Sequence, residues 1–273
     1  MTLGRALLFC PADRPDRFAK AAAAADAIIL DFEDAVGADR KTFAHECVTA
    51  SDLDPASVIV RLNPVGSPFH LLDVLTVVST PYRTVMLAKT EEKSHLDALH
   101  DAGFSVIALC ETAKGVQNAA TIARHPAVAA LMWGAEDLVA SMGGRSSRNS
   151  AGAYRDVARA ARFRVLLAAH AAGKDAIDAV HLDIPDLDGL AAEAEDAAAS
   201  GFSATACIHP SQVATIRRAY APTETEIAWA TQVIHASRNQ SGVFVLQGSM
   251  IDEPLLRQAR VILEAMIQRD PAR

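Results

Sequence analysis

Membrane spans, cysteine pairs and an excess of basic residues are all missing from this 273-residue chain, and each absence removes a class of function. No stretch approaches the roughly 20 consecutive apolar residues that a helix needs to cross a bilayer, so no membrane partner is expected. The opening Met1-Thr2-Leu3-Gly4-Arg5 runs straight into an apolar segment without a signal peptide's apolar core, which points to a cytoplasmic protein. Cys10, Cys47, Cys110 and Cys207 lie far apart and form no CxxC pair. They are expected as buried reduced thiols rather than as a disulfide framework or a structural zinc site. Lys and Arg number 26 against 33 Asp and Glu, a formal net charge of −7, so the basic surface that nucleic acid demands is lacking. Any anionic ligand must be held by a local basic cluster. GxGxxG and P-loop patterns are absent, as is HxxxH spacing, and no Ser-His-Asp or Cys-His arrangement can be read from the order of residues.

What the chain does contain is 51% apolar residues arranged in eight short runs. They are Leu7–Phe9, Ala27–Leu30, Val58–Val60, Val85–Leu87, Val106–Leu109, Ala130–Trp133, Ile177–Val180 and Ala204–Ile208. Ala-rich amphipathic stretches lie between them, at 15–25, 39–50, 67–78, 92–101, 112–124, 150–172 and 187–200, with another at 210–220 after the last run. Strands alternating with helices indicate βαβ units and a parallel sheet, and eight of them in a chain of this length predict an α/β fold, a (β/α)8 TIM barrel. Nearly pure apolar strands are expected where the barrel interior buries one face and the helices the other. Gly103 and Gly201 each precede a strand, where a helix ends well in the left-handed conformation. Residues 142–152, rich in glycine and serine, read as a mobile flap. Residues 1–222 are thus expected to form the catalytic barrel. Residues 223–273 remain as a C-terminal extension, helical over 224–238, extended at 243–246 and helical again over 255–268. An apolar appendage to a complete barrel points to packing on a neighbouring subunit.

Barrels of this kind do their chemistry at the C-terminal strand ends, and there the runs give way to charge. Glu111 follows the fifth run and Asp137 the sixth, a carboxylate pair suited to Mg2+ with water and substrate oxygens completing the shell. Each acid could instead serve a helix N-terminus. Arg61 ends the third run, and its permanent charge needs an anion, either a bound carboxylate or one of Asp31, Glu33 and Asp34. Those three acids within four residues repel one another unless cations such as Arg61 and Lys89 sit nearby. They read either as a network that fixes those cations and the waters of a metal, or as a solvated charge run. Arg14, Arg17 and Lys20 lie in a loop and the first turns of a helix, a candidate phosphate site or an ordinary basic helix surface. His181 and His209 are strand-end histidines suited to a base or to a structural hydrogen bond.

At this point the residues resemble a family. The segments Pro11-Ala12-Asp13-Arg14-Pro15-Asp16-Arg17-Phe18, Asp31-Phe32-Glu33-Asp34-Ala35, Val60-Arg61-Leu62-Asn63, Trp133-Gly134-Ala135-Glu136-Asp137, Ile208-His209-Pro210-Ser211-Gln212 and Gly248-Ser249-Met250-Ile251-Asp252-Glu253-Pro254 resemble citrate lyase beta subunits and their stand-alone relatives. These belong to the HpcH/HpaI-type aldolase group that also holds malyl-CoA and citramalyl-CoA lyases. The resemblance implies a metal-dependent barrel that cleaves or forms the carbon–carbon bond of a 3-hydroxyacyl-CoA thioester, giving acetyl-CoA and a keto acid. Citramalyl-, malyl-, citryl- and 3-hydroxy-3-methylglutaryl-CoA are the candidate substrates, and a citrate lyase complex acting on a carrier-bound citryl thioester is the alternative. It implies Glu111 and Asp137 as Mg2+ ligands, Arg61 on the keto acid, and the Gly134-Ala135 backbone as the receiver of a substrate carboxylate. Arg14, Arg17 and Lys20 fall in the stretch that contacts the phosphates of coenzyme A. Asp252 is implied as the proton-handling residue of a neighbouring protomer's site, in a homotrimer or hexamer. Phe32 stands where leucine is common and Ala88 where proline is common; neither changes a charged group, and both bear on pocket shape and so on substrate identity.

Overall fold

A computed structural model describes residues 3–238, 240 and 242–269, with side chains as far as Met266. Eight parallel strands close into a barrel in sequence order: β1 (Ala6–Pro11), β2 (Ala27–Asp31), β3 (Val58–Leu62), β4 (Thr84–Leu87), β5 (Ser105–Cys110), β6 (Val128–Trp133), β7 (Asp175–Asp178) and β8 (Ala204–Cys207). β8 pairs back onto β1, so the barrel itself has no open strand edge. The helices are α1 (Pro15–Ala24), α2 (Lys41–Thr49), α3 (His70–Val78), α4 (Asp97–Asp101), α5 (Ala113–Ile122), α6 (Ala135–Ser141), α7 (Asp156–Ala171), α8 (Leu187–Ser200) and α9 (Pro210–Ala219). The fold is the expected TIM barrel.

Alternation along the strands builds two apolar layers. Leu7, Ile29, Ile59, Met86, Ile107, Leu109, Met132 and Ile177 form one buried cluster with Ala130, Ala204 and Ala206. Neighbours such as Leu8, Leu30, Val60 and Leu87 are equally buried outside that cluster, as a helix layer over the sheet requires. Burying each large side chain contributes about 1.5–3 kcal/mol. Gly103 and Gly201 have φ of 79° and 103° and end their helices as expected.

Two stretches differ from the sequence reading. β7 starts two residues before the apolar run and ends at Asp178, whose buried carboxylate is well partnered. It accepts from Trp133 Nε1 at 2.5 Å and from the Arg162 guanidinium at 2.8–3.1 Å. The flap is tied down: Arg148 and Tyr154 form an antiparallel bridge, and Arg155 N donates to Ser147 O at 2.8 Å. Ser147 Oγ donates to Glu136 Oε1 at 2.5 Å, and the Arg148 guanidinium lies over the Tyr154 ring and pairs with Glu193.

The chain divides into two compact units, Met1–Ile216 and Arg217–Arg273. Within the second, α10 (Glu224–Ser237) starts with a capping box between Thr223 and Glu226. β9 (Phe244–Leu246), within the expected extended run, pairs antiparallel with β10 (Ser249–Ile251), and α11 (Glu253–Arg269) follows. Ala230, Val233, Phe244, Ile251, Leu256 and Ala259 make a small core of its own.

Candidate active site

Parallel register sets Asp31 at the end of β2 beside Arg61 on β3. The guanidinium forks onto the carboxylate, Nε to Oδ1 at 2.7 Å and Nη2 to Oδ2 at 2.6 Å, while Nη1 reaches Glu33 Oε2 at 3.0 Å. Asp31 also accepts from the backbone N–H groups of Glu33 and Ala35, which shapes the turn that carries the acids. Both readings of Arg61 can therefore hold: it is paired internally and still lines the cavity at the barrel mouth. Burial raises the Glu33 carboxyl above its ordinary range against the pull of Arg61 and Lys89. Asp34 is different, being 60% exposed with Lys89 Nζ at 3.6 Å.

Behind this turn lies a buried polar network that sequence reasoning missed. Lys41 Nζ donates to the carbonyls of Phe32 and Glu33 and to Asn63 Oδ1, and Asn63 donates twice to Asp73, which also bonds His45 Nε2. Lys41 sits in the first turn of α2 and looks in sequence like any surface lysine.

Glu111, at the end of β5, is only 3% exposed. It does not cap α5: Thr112 does, its Oγ1 accepting from Gly115 N at 3.0 Å. The Glu111 carboxylate instead accepts from Lys89 N at 3.0 Å. Gly134 makes room for it, since a Cβ there would come within 2.9 Å of Glu111 Oε2. Asp137, in the first turn of α6, pairs with Lys89 Nζ at 3.2 Å. Burial, then the nearby Asp137 charge, push the Glu111 carboxyl up to about 8 against Arg61 and Lys89.

A cavity of about 380 Å³ joins these groups, lined by Asp31, Asp34, Arg61, Glu111, Gly134, Ala135 and Asp137 with apolar Phe9, Met132, Val180 and Ile208. A larger groove of about 630 Å³ lies among α5, α6 and α7 and touches none of the strand-end acids. Arg14, Arg17 and Lys20 flank the end of β1 but are not among the cavity's lining residues. Arg14 pairs with Asp16, and Arg40 joins the same region through Asp13 at 3.0 Å. His181 is a structural histidine, with Nδ1 on Glu193 at 2.9 Å and Nε2 on Asp186 at 3.2 Å. Asp252 belongs to the second unit, where its carboxylate and carbonyl start α11 through Leu255 N and Leu256 N.

Five carboxylates (Asp31, Glu33, Asp34, Glu111 and Asp137) face two cations (Arg61 and Lys89) at this mouth. A hard divalent cation fits that imbalance, and all the donors are oxygen. Among the described residues no group of three or more His, Cys, Asp or Glu is arranged to hold a metal alone, so water and substrate oxygens would complete its shell.

The HpcH/HpaI aldolase/citrate lyase family matches residues 5–210. The chain belongs to that family, and it is an enzyme of the lyase class. It is 50% identical over 260 residues to a citrate lyase subunit beta-like protein of Mycobacterium tuberculosis, across 95% of this chain and 94% of that protein. It is 31% identical to the mitochondrial citramalyl-CoA lyase of Rattus norvegicus, across 95% and 85% of the two chains. The crystal structure of protein CitE from Mycobacterium tuberculosis with magnesium, acetoacetate and coenzyme A superposes with a TM-score of 0.93 at 50% identity, covering 96% of this chain and 98% of that one. No described helix is long and apolar enough to cross a membrane.

Proposed function

We propose that this lyase is Mg2+-dependent and cleaves or forms the carbon–carbon bond of a 3-hydroxyacyl-CoA thioester. The observation that carries the reading is the buried Glu111 carboxylate, set close to Asp137 and open to a cavity that also presents Arg61. Glu111 and Asp137 would hold the metal, which when bound polarises the substrate oxygens as a Lewis acid. Arg61, held rigid by Asp31 and Glu33, offers its guanidinium to the negative charge on the keto-acid oxygen as the bond breaks. The Gly134-Ala135 turn at the N-terminus of α6 receives the substrate carboxylate on backbone N–H groups. Asp252, supplied by a neighbouring copy, takes the hydroxyl proton in cleavage as the carbonyl forms and the carbon–carbon bond breaks, then returns it to the methylene carbon of the departing enolate to give acetyl-CoA. In condensation the same carboxylate takes the methyl proton of acetyl-CoA. Arg14, Arg17 and Lys20 contact the coenzyme A phosphates at the rim. Asp31, Glu33 and Asp34 fix the cations and the waters of the metal.

The C-terminal extension completes the site of a second copy in a homotrimer or hexamer. Apolar residues exposed on α3 (Leu71, Leu72, Leu75 and Val78) and α7 (Val157 and Leu167) support contact between copies. Four free buried cysteines suit a reducing cytoplasm. The metal reading is tested by calorimetric titration with Mg2+: the wild-type chain should bind it, and Glu111→Gln should lose measurable binding while keeping its circular dichroism. Equal binding by both would refute the ligand assignment.

A further inference from the structure

Lys89 and Gln247 are the non-glycine residues with a left-handed backbone among those described, and Lys89 stands at the barrel mouth with φ of 48°. Glycine adopts that conformation without strain and lysine does not, so the surroundings must hold it there. They do so at both ends of the residue. The backbone N–H donates to Glu111 Oε1 at 3.0 Å. The ammonium runs to the other acids, bonding Glu33 closely, Asp137 Oδ1 at 3.2 Å and Asp34 Oδ2 at 3.6 Å. The adjacent Ala88 N and Thr90 N are tied to Leu62 O and Leu109 O, so the turn is fixed to β3 and β5 on either side.

We propose that Lys89 is a positioning residue that sets the balance between cation and anion at this site. Its backbone aims the buried Glu111 carboxylate, and its ammonium competes with the metal for Asp137 while adding to the positive charge that meets an anionic substrate. The inference rests on the Mg2+ reading above. It has an electrostatic signature that a purely structural residue lacks. Removing the ammonium deepens the negative potential over Glu111 and Asp137, which favours a divalent cation, and strips positive charge from beside Asp34 and Asp137 in the cavity wall, which disfavours a bound carboxylate. Metal and anion affinities should therefore move in opposite directions. Loss of mere structural support would weaken both.

The test titrates Mg2+ into wild type, Lys89→Met, Lys89→Gly and Lys89→Arg, then acetoacetate into each at saturating Mg2+. Lys89→Met and Lys89→Gly should bind Mg2+ about fivefold or more tighter and acetoacetate about fivefold or more weaker, with Lys89→Arg close to wild type. The glycine variant accepts the left-handed backbone and keeps the N–H on Glu111, so it remains decisive where the methionine variant fails to fold. Mg2+ affinity in Lys89→Gly that is unchanged or weaker overturns the competition. Acetoacetate binding that is absent in wild type, or unaffected by either variant, overturns the anion half. A wild-type chain that binds no Mg2+ at all overturns the metal reading itself, and the inference with it.

Discussion

Arg61 illustrates how one side chain can carry structure and chemistry together. Its fork on Asp31 at 2.6–2.7 Å is buried, so truncation leaves Asp31 and Glu33 without their counter-charge. Arg61→Ala should therefore cost about 3 kcal/mol of stability in denaturant titrations as well as nearly all turnover. Arg61→Lys restores a charge but not two parallel hydrogen bonds. It should recover part of the stability and little of kcat, whereas a lysine variant with near-native kcat would show that charge alone suffices. Glycine at position 134 is equally specific, because the space a Cβ would fill is taken by Glu111.

At the scale of elements, the strand ends are held by charge networks that cross from one βα unit to the next. β6 is tied to β7 through Trp133 and Asp178, and Asp178 to α7 through Arg162. The loop between α6 and α7 is tied to α8 through Arg148 and Glu193, and Glu193 in turn to His181 after β7. The Glu193 hydrogen bond raises the His181 pKa, so its stabilisation is fully present below the ordinary histidine value of about 6.5 and lost as pH rises through the higher folded value. Burial would raise Glu193, but His181 and Arg148 outweigh it and hold its pKa low, so its contribution persists above about 4.5 and disappears only in acid. The pair is strongest between those limits. Wild type should exceed His181→Gln by about 1–2 kcal/mol at pH 5.5 and by less at pH 8.5, measured by thermal melts across that range. A pH-independent difference would place the effect in packing rather than in the ion pair.

These networks also mark where sequence reading stops. The strand ends were legible because both faces of each strand are buried, which leaves apolar runs that halt at a charge. The seventh run reads on through Asp178 to Val180, whereas β7 starts at Asp175 and ends at Asp178, and only the folded chain brings Trp133 and Arg162 to that carboxylate. Lys41, Asn63, Asp73 and His45 share no periodicity, so their network is a product of tertiary packing. The left-handed turn at Lys89 carries no glycine to announce it. The glycines and serines of residues 142–152 signalled a loop but not the Arg148 and Ser147 bonds that anchor it.

At the scale of the whole molecule, the barrel gathers five acids and two cations at its mouth, and the second unit carries Asp252. With a formal charge of −7 and more acids than cations at the mouth, an acidic thioester would be held by the bound metal together with Arg61, Lys89 and the Arg14 loop. The four candidate thioesters differ by a methyl or a carboxymethyl arm, worth about 1–3 kcal/mol of discrimination in an apolar pocket. Metal-dependent thioester cleavage is tested by mass spectrometry of products from citramalyl-, malyl-, citryl- and 3-hydroxy-3-methylglutaryl-CoA incubated with the purified chain. The expected result is acetyl-CoA plus the matching keto acid from at least one of them with Mg2+, lost in EDTA and strongly reduced in Asp252→Asn. Free coenzyme A with an intact hydroxy acid, turnover indifferent to EDTA, or no cleavage of any of the four would contradict a metal-dependent thioester lyase.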